Sequence, residues 1–131
     1  MIISLGIDLC DIRRVEKLFA RRGERFVARY FTTREREYVL RQARPASALA
    51  RRWAAKEAAA KALGTGVDGG IYLCDIEVIH DANKKPGLIF HGRALEIFAR
   101  LAPGSARLAA HLSITDEYPY ALAQVIISAA A

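Results

Sequence analysis

One stretch, residues 51–66, constrains this chain more than any other: Arg-Arg-Trp-Ala-Ala-Lys-Glu-Ala-Ala-Ala-Lys-Ala-Leu-Gly-Thr-Gly. Its Ala, Leu, Lys and Glu lose little side-chain freedom in a helix, and Gly64 takes the left-handed conformation that follows a helix end, so the composition predicts a helix stopping near Leu63. At 100° per residue Trp53, Glu57, Ala60, Lys61 and Gly64 share one stripe, which sets a carboxylate one turn from an ammonium beside an indole ring. Spacing alone allows two readings. A Glu four residues before a Lys is a favourable solvated pair worth about 0.2–0.5 kcal/mol. If Trp53 and the alanines instead mark a packed stripe, its polar groups need partners and can serve chemistry.

The chain has 131 residues, the size of one domain with its own core. It is 53% hydrophobic and contains no apolar run near the ~18 residues of a membrane span, so a globular domain without a membrane partner is expected. The N-terminal Met-Ile-Ile-Ser-Leu-Gly-Ile-Asp reaches an acid early and lacks the basic start and cleavage site of a signal peptide, which points to the cytoplasm. Cys10 and Cys74 stand far apart without metal-ligand spacing, so buried thiols are expected. A net charge of +6 and a pI near 9.7 call for an anionic partner: nucleic acid, a phosphate-rich cofactor or an acidic protein.

The rest of the chain reads in α+β order. Met1 to Ile7 is a short apolar strand with Asp8 where it ends, and Asp11 caps a helix from Ile12 to about Arg22 that Gly23 stops. Phe26, Val27, Tyr30 and Phe31 suggest another apolar turn or two. Thr32-Thr33-Arg34-Glu35 fits a capping box for a helix ending near Arg44-Pro45, and Ser47 can cap the helix that follows. Ile71 to His80 and Leu88 to His91 form a hairpin around a turn at residues 82–87, followed by a helix from Arg93 to Leu101. Two strands close the chain, Arg107 to Ile114 and Ala121 to Ile127, with the terminal Ser-Ala-Ala-Ala expected to fray. Such an order, lacking regular βαβ alternation, predicts an α+β fold with a mostly antiparallel sheet packed against a long central helix.

Gly64-Thr65-Gly66 follows a helix instead of opening one, so it is neither a P-loop nor a dinucleotide fingerprint, although its amides and hydroxyl are accessible to a phosphate. No Gly-x-Ser-x-Gly and no His-x-x-x-His is present, and a protein nucleophile is not evident. Asp8 and Glu57 are hard oxygen donors of the kind Mg²⁺ uses when waters and substrate phosphates complete its shell; Mn²⁺ shares those ligands. Structural roles are expected for His80, His91 and His111. Arg14 and Arg21 lie one heptad apart on a basic helix face that Arg25, Arg29, Arg34 and Arg36 extend.

Gly6-Ile7-Asp8-Leu9, the run Trp53-Ala54-Ala55-Lys56-Glu57-Ala58 continuing to Lys61-Ala62-Leu63-Gly64-Thr65-Gly66, and His111-Leu112-Ser113-Ile114-Thr115 occur together and in order. In this the chain resembles the holo-[acyl-carrier-protein] synthases, the small bacterial class of 4′-phosphopantetheinyl transferases, over almost its whole length. The resemblance implies that family's fold. It also implies transfer of the phosphopantetheine arm of coenzyme A to a serine of apo acyl carrier protein, releasing adenosine 3′,5′-bisphosphate. It further implies Asp8 and Glu57 as ligands of Mg²⁺, with Mn²⁺ possible, and Glu57 and Lys61 as the catalytic pair. Lys61, Gly64, Thr65, Gly66, Lys84 and Pro86 would lie against coenzyme A, and Arg14 and Arg21 would dock the acidic carrier. A cytoplasmic homotrimer with active sites between subunits, acting in fatty acid biosynthesis, follows from the same resemblance. Two positions depart from the family pattern: Asp116 stands where many members carry a second histidine, and Trp53 where Phe is common. The competing class, a basic nucleic-acid-binding module, rests on charge alone, because the arginines form no known DNA or RNA motif.

Overall fold

The computed structural model describes residues 1–64 and 70–131. Its elements run β1 (Ile2–Asp11), α1 (Ile12–Arg22), α2 (Glu24–Tyr30), α3 (Thr33–Leu40), α4 (Pro45–Leu63), a 3₁₀ turn at Leu73–Asp75, β2 (Ile76–His80), β3 (Pro86–Phe90), α5 (Gly92–Arg100), β4 (Arg107–Glu117) and β5 (Tyr120–Ala130). The strands make a three-stranded antiparallel sheet in the order β1-β5-β4 and a separate β2-β3 hairpin. This is the α+β arrangement expected, with α4 lying across one face of the larger sheet.

That face is built from small residues. Ala121, Ala123, Val125, Ile127 and Ala129 alternate along β5 and are all buried, as are Gly6 and Cys10 on β1. Opposite them α4 presents Ala54, Ala55, Ala58 and Ala62, likewise buried. Alanine against alanine lets helix and sheet approach closely, so dispersion over a tight interface replaces the interlocking of large side chains. At Gly6 the approach reaches the backbone: a Cβ there would lie 2.0 Å from the Ala58 carbonyl oxygen and 2.8 Å from the Ala62 nitrogen. Two residues earlier the Ser4 hydroxyl donates to the Ala62 carbonyl at 2.6 Å.

Several element boundaries follow the local chemistry read from the sequence. The Asp11 carboxylate accepts from the Arg13 backbone at 3.0 Å and opens α1. Thr32 and Glu35 form the reciprocal capping box of α3. Gly64 ends α4 in the left-handed conformation, at φ 86°, as expected of a helix stopping at Leu63.

Three expectations are corrected. Pro45 does not merely end the preceding helix; it is the first residue of α4, with Arg44 before it, so Ser47 lies inside the helix and caps nothing. Proline suits that position because its missing N–H is one the first turn leaves unbonded anyway. Asp8 does not end its strand. Pairing with β5 continues through Cys10↔Ala121 and Asp11↔Tyr120, so Asp8 sits inside β1, opposite Ala123. The C-terminal alanines do not fray, since Ala130 pairs with Arg107 and the Ala129 amide donates to the Met1 carbonyl at 2.8 Å.

The Gly6 approach yields a test. Gly6→Ala must push α4 away from β1 against backbone atoms that cannot rotate aside, and overpacking of this kind costs about 3 kcal/mol. Chemical denaturation of that variant should show a loss of this size, whereas Gly104→Ala, with no atom within 4 Å of its added Cβ and a φ of 59°, should lose only the smaller backbone-strain cost.

Candidate active site

The period of two in β1 sends Gly6, Asp8 and Cys10 to the same side, towards α4. Asp8 therefore faces the helix that carries Glu57 and Lys61. The Lys61 ammonium donates to the Ile7 carbonyl at 2.9 Å and to Asp8 Oδ1 at 3.2 Å. Among the described residues Lys61 pairs with Asp8 across to the strand, not with Glu57 along its own helix. The i,i+4 surface pair is thus not the one formed.

Glu57 is half-buried, and its pKa is raised, first by desolvation and then by the negative charge of Asp8; Lys61 and Arg14 act in the opposite sense. Asp8, Glu57, Lys61 and Arg14 consequently form one electrostatic neighbourhood, assembled from β1, α4 and α1. Two carboxylates close enough for one to act on the other's charge, with only partial cationic relief, are hard oxygen donors of the type a divalent cation uses. No group of three or more His, Cys, Asp or Glu side chains gathers as a metal site among the described residues.

Gly64 follows this cluster directly and is exposed. Thr65 and Gly66, the rest of the expected phosphate turn, lie outside the described residues. Lys84 is not brought to the carboxylates within the chain. It lines a cavity of about 770 Å³ with Tyr38, His80, Arg52, Arg34 and Arg41, on the side of α4 that faces α3 and β2. Pro86 opens β3 nearby. In that cavity the Arg52 guanidinium stacks over the Tyr38 ring at 4.1 Å and meets His80 Nδ1 at 3.2 Å.

Arg14 and Arg21 are both exposed on α1, and Arg21 lines a second cavity of about 490 Å³ with Arg22, Arg25, Arg29, Phe26 and Tyr30. The basic ridge thus runs from the carboxylate pair, through Arg14, to a cluster of arginines on α1 and α2. Of the histidines, His111 bonds the Ser128 hydroxyl at 2.9 Å on the exposed face of the sheet, and His91 meets the buried Glu77 at 3.1 Å. Asp116 pairs with Arg51 at 3.6 Å. Cys10 is buried, and desolvation pushes its thiol up; Cys74 is only partly covered.

The interior holds a polar network that motif reading passes over. Lys56 is wholly buried, and its ammonium donates to Glu35 Oε1 at 2.6 Å, to the Leu73 carbonyl at 2.9 Å and to the Ile76 carbonyl. Glu35 also accepts from the Val78 amide at 3.1 Å. The sequence carries a faint signal of this arrangement. Leu49, Arg52, Lys56, Ala59 and Leu63 share a helical stripe whose ends are apolar, so a cation in its middle has to find a buried acid.

Comparison with known proteins agrees with this architecture. The family model of the 4′-phosphopantetheinyl transferase superfamily matches residues 4–123. A holo-[acyl-carrier-protein] synthase of Beijerinckia indica is 50% identical over 131 residues, covering 100% of this chain and 94% of the relative. Among solved structures, holo-[acyl-carrier-protein] synthase from Neisseria meningitidis superimposes with a TM-score of 0.83 at 34% identity, covering 98% of this chain and 99% of its own. The Bacillus anthracis holo-(acyl-carrier-protein) synthase, solved in complex with CoA (3′,5′-ADP), matches with a TM-score of 0.77 at 32% identity over 100% of this chain and 99% of its own. With the family model spanning nearly the whole chain and a full-length relative at half identity, the chain belongs to the 4′-phosphopantetheinyl transferase superfamily, in its group of holo-[acyl-carrier-protein] synthases.

Proposed function

We propose that this protein transfers the 4′-phosphopantetheine arm of coenzyme A to a serine hydroxyl of apo acyl carrier protein, giving the holo carrier and adenosine 3′,5′-bisphosphate. The observation that carries the site assignment is the meeting of Asp8, Glu57 and Lys61 at the end of α4, just before the glycine turn. Asp8 and Glu57 would hold Mg²⁺, or Mn²⁺ in its place. When bound, the ion would neutralise charge developing on the pyrophosphate oxygens.

The chain's own groups do the remainder. Glu57 would receive the proton of the attacking serine, directly or through water, a role its raised pKa supports. Lys61, more than half exposed beside Asp8, can reach outward to neutralise or protonate the departing phosphate. Gly64, Thr65 and Gly66 would supply backbone and hydroxyl donors to the pyrophosphate. Lys84 and Pro86 would meet the adenosine end. Because Lys84 lies on the other side of α4 within one chain, such a role requires that end to reach a neighbouring subunit's hairpin.

A homotrimer would bring those parts together. Its support is the outer face of the larger sheet, where Leu5, Ile7 and Leu9 are 58%, 49% and 60% exposed, beside half-covered Leu122 and Ile126. A contiguous apolar strip of this kind marks an association surface. Arg14 and Arg21 would dock the acidic carrier, with Arg14 close enough to Glu57 to act on its charge. Among the described residues no helix is long and apolar enough to cross a membrane, and a cytoplasmic role in fatty acid biosynthesis completes the reading.

Incubation with coenzyme A, Mg²⁺ and apo acyl carrier protein should add the phosphopantetheine arm, read by mass spectrometry. No adduct together with tight nucleic-acid binding would reverse the assignment in favour of the basic binding module. Glu57→Gln should lower transfer by about 10²-fold or more, the usual scale for loss of a transition-state charge partner. The same variant should melt at a higher temperature than the parent when Mg²⁺ is absent and the pH is neutral. A carboxylate whose folded pKa is raised carries no penalty below its unfolded pKa, and the full penalty above its folded one. The stabilisation should therefore shrink as the pH is lowered through the carboxylate range. Arg14→Ala and Arg21→Ala should each raise KM for the carrier several-fold at low salt with little change in kcat, and rising salt should narrow the difference.

A further inference from the structure

We infer that Lys56, buried beside the proposed metal ligand Glu57, is a positioning residue whose three hydrogen bonds fix the rotation of α4 and so set the geometry of the Asp8–Glu57 pair. The inference rests on the reading of Asp8 and Glu57 as the metal ligands.

Eight of the twelve buried residues of α4 are alanine, which offers few protrusions to lock a helix against rotation or sliding. Towards β1 it is held by the backbone approach at Gly6 and by the bond from Ser4 to the Ala62 carbonyl. On the far side Trp53 packs among Phe26, Tyr30 and Phe31 and Arg52 stacks over Tyr38, and at the buried centre between them the directional link is Lys56. Its acceptors come from separate segments: Glu35 on α3, Leu73 in the 3₁₀ turn and Ile76 at the start of β2. Three donors meeting three acceptors use the whole capacity of an ammonium group. Phe31 closes the site, with the Lys56 nitrogen 5.0 Å from the centre of its ring. Glu35 is itself restrained by the Thr32 amide at 3.0 Å and the Val78 amide at 3.1 Å, so the anchor cannot simply follow the helix.

Glu57 is the next residue round the helix, about 100° from Lys56. With side chains extending about 6 Å from the axis, a rotation of about 20° moves a carboxylate by about 2 Å. Displacements of about 1 Å can cost 10²-fold in an active site. Restraint of α4 from both sides is therefore what keeps Glu57 turned towards Asp8.

The decisive measurement is metal binding by isothermal titration with Mn²⁺, without coenzyme or carrier, on the full-length protein. The test variant is the neutral pair Glu35→Gln/Lys56→Met, which removes the ammonium and its counter-charge together. Val39→Ala, a cavity in buried α3 that leaves Lys56 untouched, serves as the destabilised control. At a temperature where circular dichroism shows every variant folded, the neutral pair should bind Mn²⁺ at least 10-fold more weakly than the parent. Its KM for the carrier should be unchanged. Val39→Ala should bind Mn²⁺ like the parent. If the neutral pair does not fold, Glu35→Gln alone replaces it, with a weakening of several-fold expected because one of the three acceptors is altered. Parental Mn²⁺ affinity in the folded test variant, or equal weakening in Val39→Ala, would overturn the inference. Asp8→Asn and Glu57→Gln separate the two levels. If they too bind Mn²⁺ like the parent, the site reading fails; if they lose binding while the neutral pair keeps it, only the role of Lys56 fails.

Discussion

The contact on which the rest depends is the approach of α4 to β1 at Gly6. A side chain at that position would sit inside the helix backbone, 2.0 Å from the Ala58 carbonyl oxygen. Because the two backbones touch, residues two further along the strand and one turn along the helix come within reach of each other. Asp8 shares its face with Gly6 through the strand period, and Lys61 lies close to Ala58 and Ala62 through the helix period. The ion pair between Lys61 and Asp8 is a consequence of that closeness. Glycine at position 6 therefore belongs to the site as much as to the core.

Close packing of small residues has a corollary. An alanine interface gains dispersion but little specificity of rotation, so the orientation of α4 falls to the packing of Trp53 among Phe26, Tyr30 and Phe31 and to a few polar links. The buried Lys56–Glu35 pair is expensive to desolvate, and burial indeed lowers the ammonium's pKa while Glu35 opposes the change. A hydrophobic replacement of similar volume would serve stability as well or better. What it would not supply is three directional bonds to three different segments. The extended network, with Thr32 donating to Glu77 at 2.7 Å and Glu77 meeting His91, carries the same restraint on to the start of α5.

Much of this was legible in the sequence where local chemistry decides. The Asp11 cap, the capping box at Thr32 and Glu35, and the Gly64 stop all depend on residues within a turn of each other, and each forms as read. The corrections share another cause. Asp8 and the C-terminal alanines continue their strands because β5 pairs with both β1 and β4, a long-range fact that no window of residues contains. Of the site, the residue types were readable and their meeting was not. Spacing offered Glu57 and Lys61 to each other, whereas the fold gives Lys61 to Asp8, fifty-three positions away. Lys56 was hidden for a similar reason. Its partner Glu35 already had a sufficient local role as a cap, and nothing in the sequence shows that one carboxylate serves both.

The carboxylate pair also shows how stability and function divide. Glu57 sits half-buried, and desolvation followed by the charge of Asp8 raises its pKa, an arrangement that costs stability at neutral pH. Lys61 and Arg14 offset part of that cost without cancelling it, since the net shift is still upward. Full cancellation, by a cation seated between the two acids, would relieve the repulsion and leave no charge to draw a metal. Lys61 instead bonds one oxygen of Asp8 from a position more than half exposed. If Asp8 and Glu57 hold a cation as proposed, its binding would relieve the repulsion that the fold otherwise tolerates, so that the unbalanced pair would act as stored affinity.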